Sequence, residues 1–259
     1  MNKPTYLSYF LLWVACPSVL MGQDTIPIEI PKETPMISKI SDTPTKEPPS
    51  VLDFQLYVTS NYIWRDIVTD YEAIQPSTTY TLYDTGLSLN IWTSFGIKST
   101  THNLETSVTM SYQNEIARNI SFSIGGVYYY APADSALGVE YNTNFYEVTA
   151  GIGYTKYLNP YLQIYVNNKE EIYTILTVNE TLFKKKGKYI DLSGSVAYRS
   201  NTVSIEGIPA TDGFRDATLR LAAHTTLHKK AVVSFSLGTT YIIAEKTTHY
   251  QAGCNLSLQ

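Results

Sequence analysis

From Leu52 onward, apolar and polar residues alternate one by one in segment after segment. A period of two puts alternate side chains on opposite faces of a pleated strand, so each segment has one apolar and one polar face. The first segment sets Leu52, Phe54, Leu56, Val58, Tyr62 and Trp64 against Asp53, Gln55, Thr59, Asn61 and Arg65. Later ones repeat the pattern: Leu87, Leu89, Ile91 and Phe95 oppose Ser88, Asn90 and Ser94, and Val233, Phe235 and Leu237 oppose Ser234 and Ser236. With two weaker segments near 73–83 and 172–182, the set numbers about twelve strands.

Segments of about ten residues suit strands that cross a bilayer at a tilt. In hydrocarbon an open sheet edge would leave backbone groups without partners, so such a sheet must close on itself. The expected fold is all-β: a closed antiparallel transmembrane β-barrel of about twelve strands in an up-and-down meander. The connections sort by parity in support of this. The even ones are short and turn-like: Asp84-Thr85-Gly86, Asn114 to Arg118, Tyr157 to Pro160, Lys184 to Lys188 and His228-Lys229-Lys230. The odd ones include the two longest, 131–143 and 200–215. Short turns at one end and long loops at the other is the outer-membrane arrangement. A secreted β-sandwich would show the same alternation with its apolar faces turned inward. Loop parity and the leader described below favour the barrel.

Tyrosine is abundant, at 22 residues, and many lie near expected strand ends. Tyr57, Tyr62, Tyr80, Tyr83, Tyr112, Tyr128 to Tyr130, Tyr154, Tyr157, Tyr161, Tyr189, Tyr198 and Tyr250 are expected at the two membrane interfaces, where an amphipathic ring is well placed.

Residues 1–22 read as a signal peptide. Lys3 is followed by an apolar stretch through Met21, and the small Gly22 permits cleavage before Gln23. Lipidation at Cys16 is the alternative processing. Residues 23–50 carry six of the twelve prolines, namely Pro27, Pro31, Pro35, Pro44, Pro48 and Pro49. That density forbids helix and ladder alike and marks a disordered linker, expected in the periplasm. The barrel is assigned to 51–259. Its last segment has Gln251, then Gly253 two residues on, then Leu256 and Leu258, and resembles a barrel-assembly signal. It ends Leu-Gln where many such signals end on an aromatic residue.

One stretch is more specific than the alternation. Val58-Thr59-Ser60-Asn61-Tyr62-Ile63-Trp64-Arg65-Asp66 is followed by Ala73-Ile74-Gln75-Pro76, then by Gly86 to Trp92 and Ser94. These residues resemble the first strands of the TorF-like porin family, which carry a T-S-x-Y-x-[WF]-R-G segment, an A-x-Q-P/G segment and a G-x-x-x-x-x-W-x-S segment. The matched positions include Asn61, Tyr62, Trp64, Arg65, Gln75, Pro76, Trp92 and Ser94, while Asp66 stands where the family has Gly. The resemblance covers about the first forty residues of the barrel closely and the rest in pattern only. It implies an outer-membrane barrel with a pore and names no solute.

Function classes narrow by exclusion. With 23 acidic and 19 basic residues the chain has a net charge of −4 and no electrostatic footprint for nucleic acid. Two cysteines, Cys16 and Cys254, can build neither a disulfide scaffold nor a cysteine metal site. No cofactor and no metal are expected. At inward parity lie Arg65, Glu105, Glu147, Asp191, Arg199, Arg220 and His224, the candidate lumen-lining residues. Charges there can pair with one another structurally or form a selectivity constriction. The expected role is a porin-like channel, not an enzyme, passing small hydrophilic solutes or ions through the outer membrane of a Gram-negative-type cell. Its expected partners are outer-membrane lipid, lipopolysaccharide and the barrel-assembly machinery; the oligomeric state is left open. The alternatives are a closed structural or adhesion barrel, and a lipid-modifying enzyme using His224, although no G-x-S-x-G elbow occurs.

Overall fold

A computed structural model of the chain describes residues 50–65, 67–70, 72–82, 85–97, 104–131, 144–200, 212–228 and 231–258. The signal peptide and nearly all of the linker lie outside them, as does most of both long loops. The elements are β1 (Ser50–Thr59), β2 (Tyr62–Trp64), β3 (Ile67–Asp70), β4 (Ala73–Leu82), β5 (Leu87–Gly96), β6 (Leu104–Ala117) and β7 (Ile120–Tyr130). The second half adds β8 (Asn144–Tyr154), β9 (Tyr161–Asn167), β10 (Ile172–Lys185), β11 (Lys188–Ser200), β12 (Gly213–His228), β13 (Ala231–Ile242) and β14 (Thr247–Leu258). Twelve of these strands form one closed antiparallel barrel, each paired with its neighbours in order, and β1 closes against β14. The remaining two, β2 and β3, form a separate two-stranded sheet.

Side-chain alternation fixes the inside and the outside. Leu52, Met110, Phe235 and Tyr250 stand exposed on the outer surface, and Leu237 is 66% accessible. A continuous apolar surface around a whole barrel cannot be maintained in water and is what lipid requires. At its loop end Tyr128, Tyr130, Tyr146, Tyr198, Tyr241 and Tyr250 face outward, and at its turn end Tyr80, Tyr154 and Tyr157 do. These are two aromatic girdles. Tyr57, Tyr62, Tyr129, Tyr161 and Tyr189, expected at the interfaces, point inward instead. Tyr62 and Tyr129 are buried, Tyr161 bonds Ser123, and Tyr189 stacks on His224.

The two weak segments are explained by their neighbours. On β4, Pro76 and Thr78 occupy outward positions in place of large apolar residues. Pro76 also lacks an amide donor, and the otherwise continuous register between β4 and β5 skips Gln75 and Pro76. On β10 the apolar Tyr173 and Ile175 are buried inward, which blurs the alternation.

Closure at the seam relies on a close fit. Only six residue pairs join β1 to β14, from Phe54–Leu258 to Thr59–Gly253. Across this ladder Tyr57 lies on Gly253, so closely that a Cβ on residue 253 would clash with the phenol ring. Tyr161 lies in the same way over Gly151 and Gly153. The absence of a side chain at Gly253 is therefore a packing requirement, separate from any role in an assembly signal.

Two outcomes follow from this wall. Replacing Leu237 by Arg, mid-strand on the outer face, is expected to cost about 2–4 kcal/mol of folding free energy in lipid bilayers, measured by reversible denaturant unfolding. Gly253→Ala is expected to cost roughly 1–3 kcal/mol by overpacking, and most of that cost should vanish in a Tyr57→Ala background, a coupling read by a double-mutant cycle.

Candidate functional site

The first connection of the barrel does not extend away from the wall. Strand β1 ends at Thr59, and the chain then enters the lumen as the β2–β3 hairpin before rejoining the wall at Ala73. This corrects the reading of Leu52 to Arg65 as one strand. It also corrects the placement of Tyr62 and Trp64 on the apolar outer face. Both are 2% accessible, and Ile63 between them is 0%. The physical reason is that Tyr62 and Trp64 share the parity of Leu52 to Val58, while Ser60 and Ile63 interrupt the alternation where the backbone leaves the sheet.

Aromatic packing seats the hairpin. Tyr62 meets Trp92 of β5 with ring centroids 5.5 Å apart. Trp64 presents edges to Tyr129 of β7 at 5.7 Å and to Phe145 of β8 at 5.8 Å. Tyr129 and Phe145 stack nearly parallel at 4.4 Å. Such pairs each contribute about 0.5–1.5 kcal/mol beyond burial of their area. With Ala73, Val127 and Ala131 they form an apolar cluster inside the loop end of the barrel. Beside it, Gln75 donates to Ser94 Oγ at 3.3 Å. The three motif segments singled out in the sequence thus meet in space: one is the hairpin, and the other two are its seat.

Arg65 sits in the two-residue connection between Trp64 and Ile67. Its φ of 47° is in the left-handed region, uncommon for a residue with a Cβ. The guanidinium is held on several sides. It donates two bonds to the Glu147 carboxylate on β8, the one to Oε2 at 2.6 Å. The rings of Tyr165 and Tyr173 lie 4.2 and 4.7 Å from Arg65 Cζ, and that of its neighbour Trp64 lies 4.4 Å away. A bidentate, charge-assisted pair among aromatic faces combines two favoured modes of guanidinium recognition.

The other candidates divide into pairs and a lower group. Arg199 on β11 contacts Glu171 at 3.4 Å, and Asn167 donates to the same carboxylate at 2.8 Å. Glu105 on β6 is buried at the loop end of the lumen. Asp216 accepts a bond from Tyr173 at 3.0 Å. Nearer the turn end, Arg220 donates to Ser236 at 3.0 Å and to Tyr57 at 3.3 Å. Asp191 accepts a bond from Thr181 at 2.8 Å. His224 lies 2.7 Å through Nδ1 from Ser234 Oγ and 3.3 Å through Nε2 from Asp191. That trio is turned into the lumen, away from acyl chains, and Ser234 lies near the turn end of β13 with ladder partners on both sides.

Burial along the inward face changes at mid-height. On β5, Ser88 and Asn90 are partly accessible while Trp92 and Ser94 are buried. On β11, Asp191, Ser193 and Ser195 are partly accessible while Ala197 and Arg199 are buried. Strands β4, β6 and β10 change in the same sense. On these strands the turn-end part of the lumen is an accessible polar vestibule, while Ser121, Ser123, Tyr161, Gln163, Ser234 and Ser236 toward the same end are buried, and the hairpin fills the loop end. Sequence reasoning missed Tyr129, Phe145, Tyr165, Tyr173 and Glu171. The available signal was an aromatic residue at polar parity, which Trp92, Tyr129, Phe145, Tyr165 and Tyr173 all share.

The architecture is similar to that of solved barrels. A KdgM porin has 10% sequence identity and a TM-score of 0.53, the match covering 81% of this chain and 98% of that one. A NanC porin has 8% identity and a TM-score of 0.52, covering 81% and 100%. A bacterial polysaccharide outer membrane secretin has 7% identity and a TM-score of 0.50, covering 81% and 98%. At these identities the likeness is one of fold. No family model matches the sequence, and no curated protein does.

Removing one charge of the buried pair while leaving the other is expected to be costly. Glu147→Gln should lower unfolding free energy by roughly 3–5 kcal/mol, and a double Arg65→Met, Glu147→Leu variant should recover much of that, both measured by urea unfolding in detergent or bilayers.

Proposed function

We propose that this protein is an outer-membrane, porin-like channel for passive diffusion of small hydrophilic solutes or ions, with its loop-end mouth stoppered by the β2–β3 hairpin. The observation that carries this reading is the vestibule. A closed barrel with an apolar outside keeps Ser88, Asn90, Thr109, Ser111, Ser193 and Ser195 partly accessible on its inside. Accessible hydroxyl and amide groups on part of the lumen wall suit a water-filled passage. Fold likeness to two porins supports the same reading. No covalent step is involved: passage is set by lumen radius and lining charge. In this reading the termini face the periplasm of a Gram-negative-type cell, the segment before β1 is a secreted tether, and the chain stands with the TorF-like porins. Insertion would be the work of the barrel-assembly machinery.

The stopper itself favours a second reading, a closed barrel serving a structural or adhesive role. Conductance separates the two. Wild-type protein in planar bilayers is expected to show discrete steps. A variant with residues 60–72 replaced by a four-residue Gly-Ser linker should show steps several-fold larger. Silence from both proteins would leave the closed barrel as the surviving reading. Steps of equal size would mean that the hairpin does not limit passage.

A further inference from the structure

The Arg65 contact differs in kind from a second buried ion pair, that of Arg199 and Glu171. Arg199 and Glu171 both belong to the wall region beside β10 and β11, and they meet at 3.4 Å. Arg65 comes from a segment that is not part of the wall, and the wall supplies most of what receives it. Glu147 belongs to β8, Tyr165 to β9 and Tyr173 to β10, three consecutive strands. Their side chains present a carboxylate aimed at the two terminal guanidinium nitrogens, Nη1 and Nη2, and two rings within 4.7 Å of the guanidinium carbon. A carboxylate matched to a planar fork, beside π faces, selects guanidinium over a compact ammonium, whose charge is more strongly hydrated and which cannot bind in bidentate fashion.

We infer that Glu147, Tyr165 and Tyr173 form a binding site for a guanidinium-bearing solute, and that Arg65 is the protein's own occupant of that site. The hairpin is then an internal competitor. A free guanidinium compound entering the lumen meets a site already filled by a tethered one, so its apparent affinity falls in proportion to the occupied fraction. Removing the tethered group exposes the full affinity. The inference goes beyond the channel reading, and because it concerns binding at the wall it can be tested without a conducting pore.

The hairpin can be removed without disturbing the sheet, because Thr59 and Ala73 are ladder partners that a short linker can rejoin. Two variants are used, since Arg65→Ala leaves Glu147 buried without its partner and can itself fail to fold: Arg65→Ala, and the barrel with 60–72 replaced by Gly-Ser-Gly-Ser. Each is purified in detergent, shown to retain β-sheet circular dichroism and heat-modifiable migration, and titrated with methylguanidine, methylammonium and N-methylurea by ligand-observed NMR. Methylguanidine is expected to bind the hairpin-replaced barrel at least tenfold more tightly than it binds wild type, with methylammonium weaker and the neutral urea showing no saturable binding. Glu147→Gln in the same hairpin-replaced barrel should remove that gain. Methylguanidine binding no tighter than in wild type would overturn the inference, as would equal binding of N-methylurea or indifference to Glu147→Gln. Should Arg65→Ala not fold, the hairpin-replaced barrel alone decides.

Discussion

Every backbone donor and acceptor that crosses the apolar zone must find its partner within the ring of strands, and this requirement organises the rest of the molecule. It makes β1 pair with β14, so the two ends of the barrel sequence lie side by side. It also forces each strand to present one face to lipid and one to the lumen. The seam is short, six pairs long, and side-chain packing reinforces it. Tyr57 lies across Gly253, and Arg220 reaches from β12 to the same phenol. One group of inward residues therefore contributes to closure and to the chemistry of the vestibule at once.

The inside is divided by how water is excluded. Toward the loop end the rings of Tyr62, Trp64, Trp92, Tyr129 and Phe145 pack into one buried cluster, Arg65 pairs with Glu147, and Glu171 accepts a bond from Asn167. Burying a charge is tolerable only on those terms. Toward the turn end, serine, threonine and asparagine side chains bond across adjacent strands, as Ser88 does with Ser111 at 2.7 Å and Asn90 with Thr79 at 2.8 Å. Such groups interact with water as readily as with each other.

Much of the wall was legible from residue alternation alone, because lipid on one side and a polar lumen on the other impose a strict period of two. The outward positions of Leu89, Phe122 and Leu237 and the inward ones of Glu147, Asp191 and Arg220 follow from it directly. What alternation could not show is where the backbone leaves the sheet. Tyr62 and Trp64 share the parity of β1, interrupted by Ser60 and Ile63, yet both lie in the lumen, because Trp92, Tyr129 and Phe145 from later strands supply aromatic partners there. Arg65 was placed inside by parity and is inside, although it reaches there from a hairpin and not from a wall strand. Its partner Glu147 was also placed inside. Their meeting depends on the reach of a folded loop, which spacing in sequence does not encode.

The hairpin leaves the wall at Thr59 and returns at Ala73, the residue directly opposite, so the ladder on either side keeps its register whatever lies between. Barrel and stopper are thus mechanically separate parts joined at a single doorway. The thirteen intervening residues can therefore change in length with no shift in the pairing of Thr59 with Ala73. Selection can accordingly alter what occupies the lumen while the closure of the barrel stays in place.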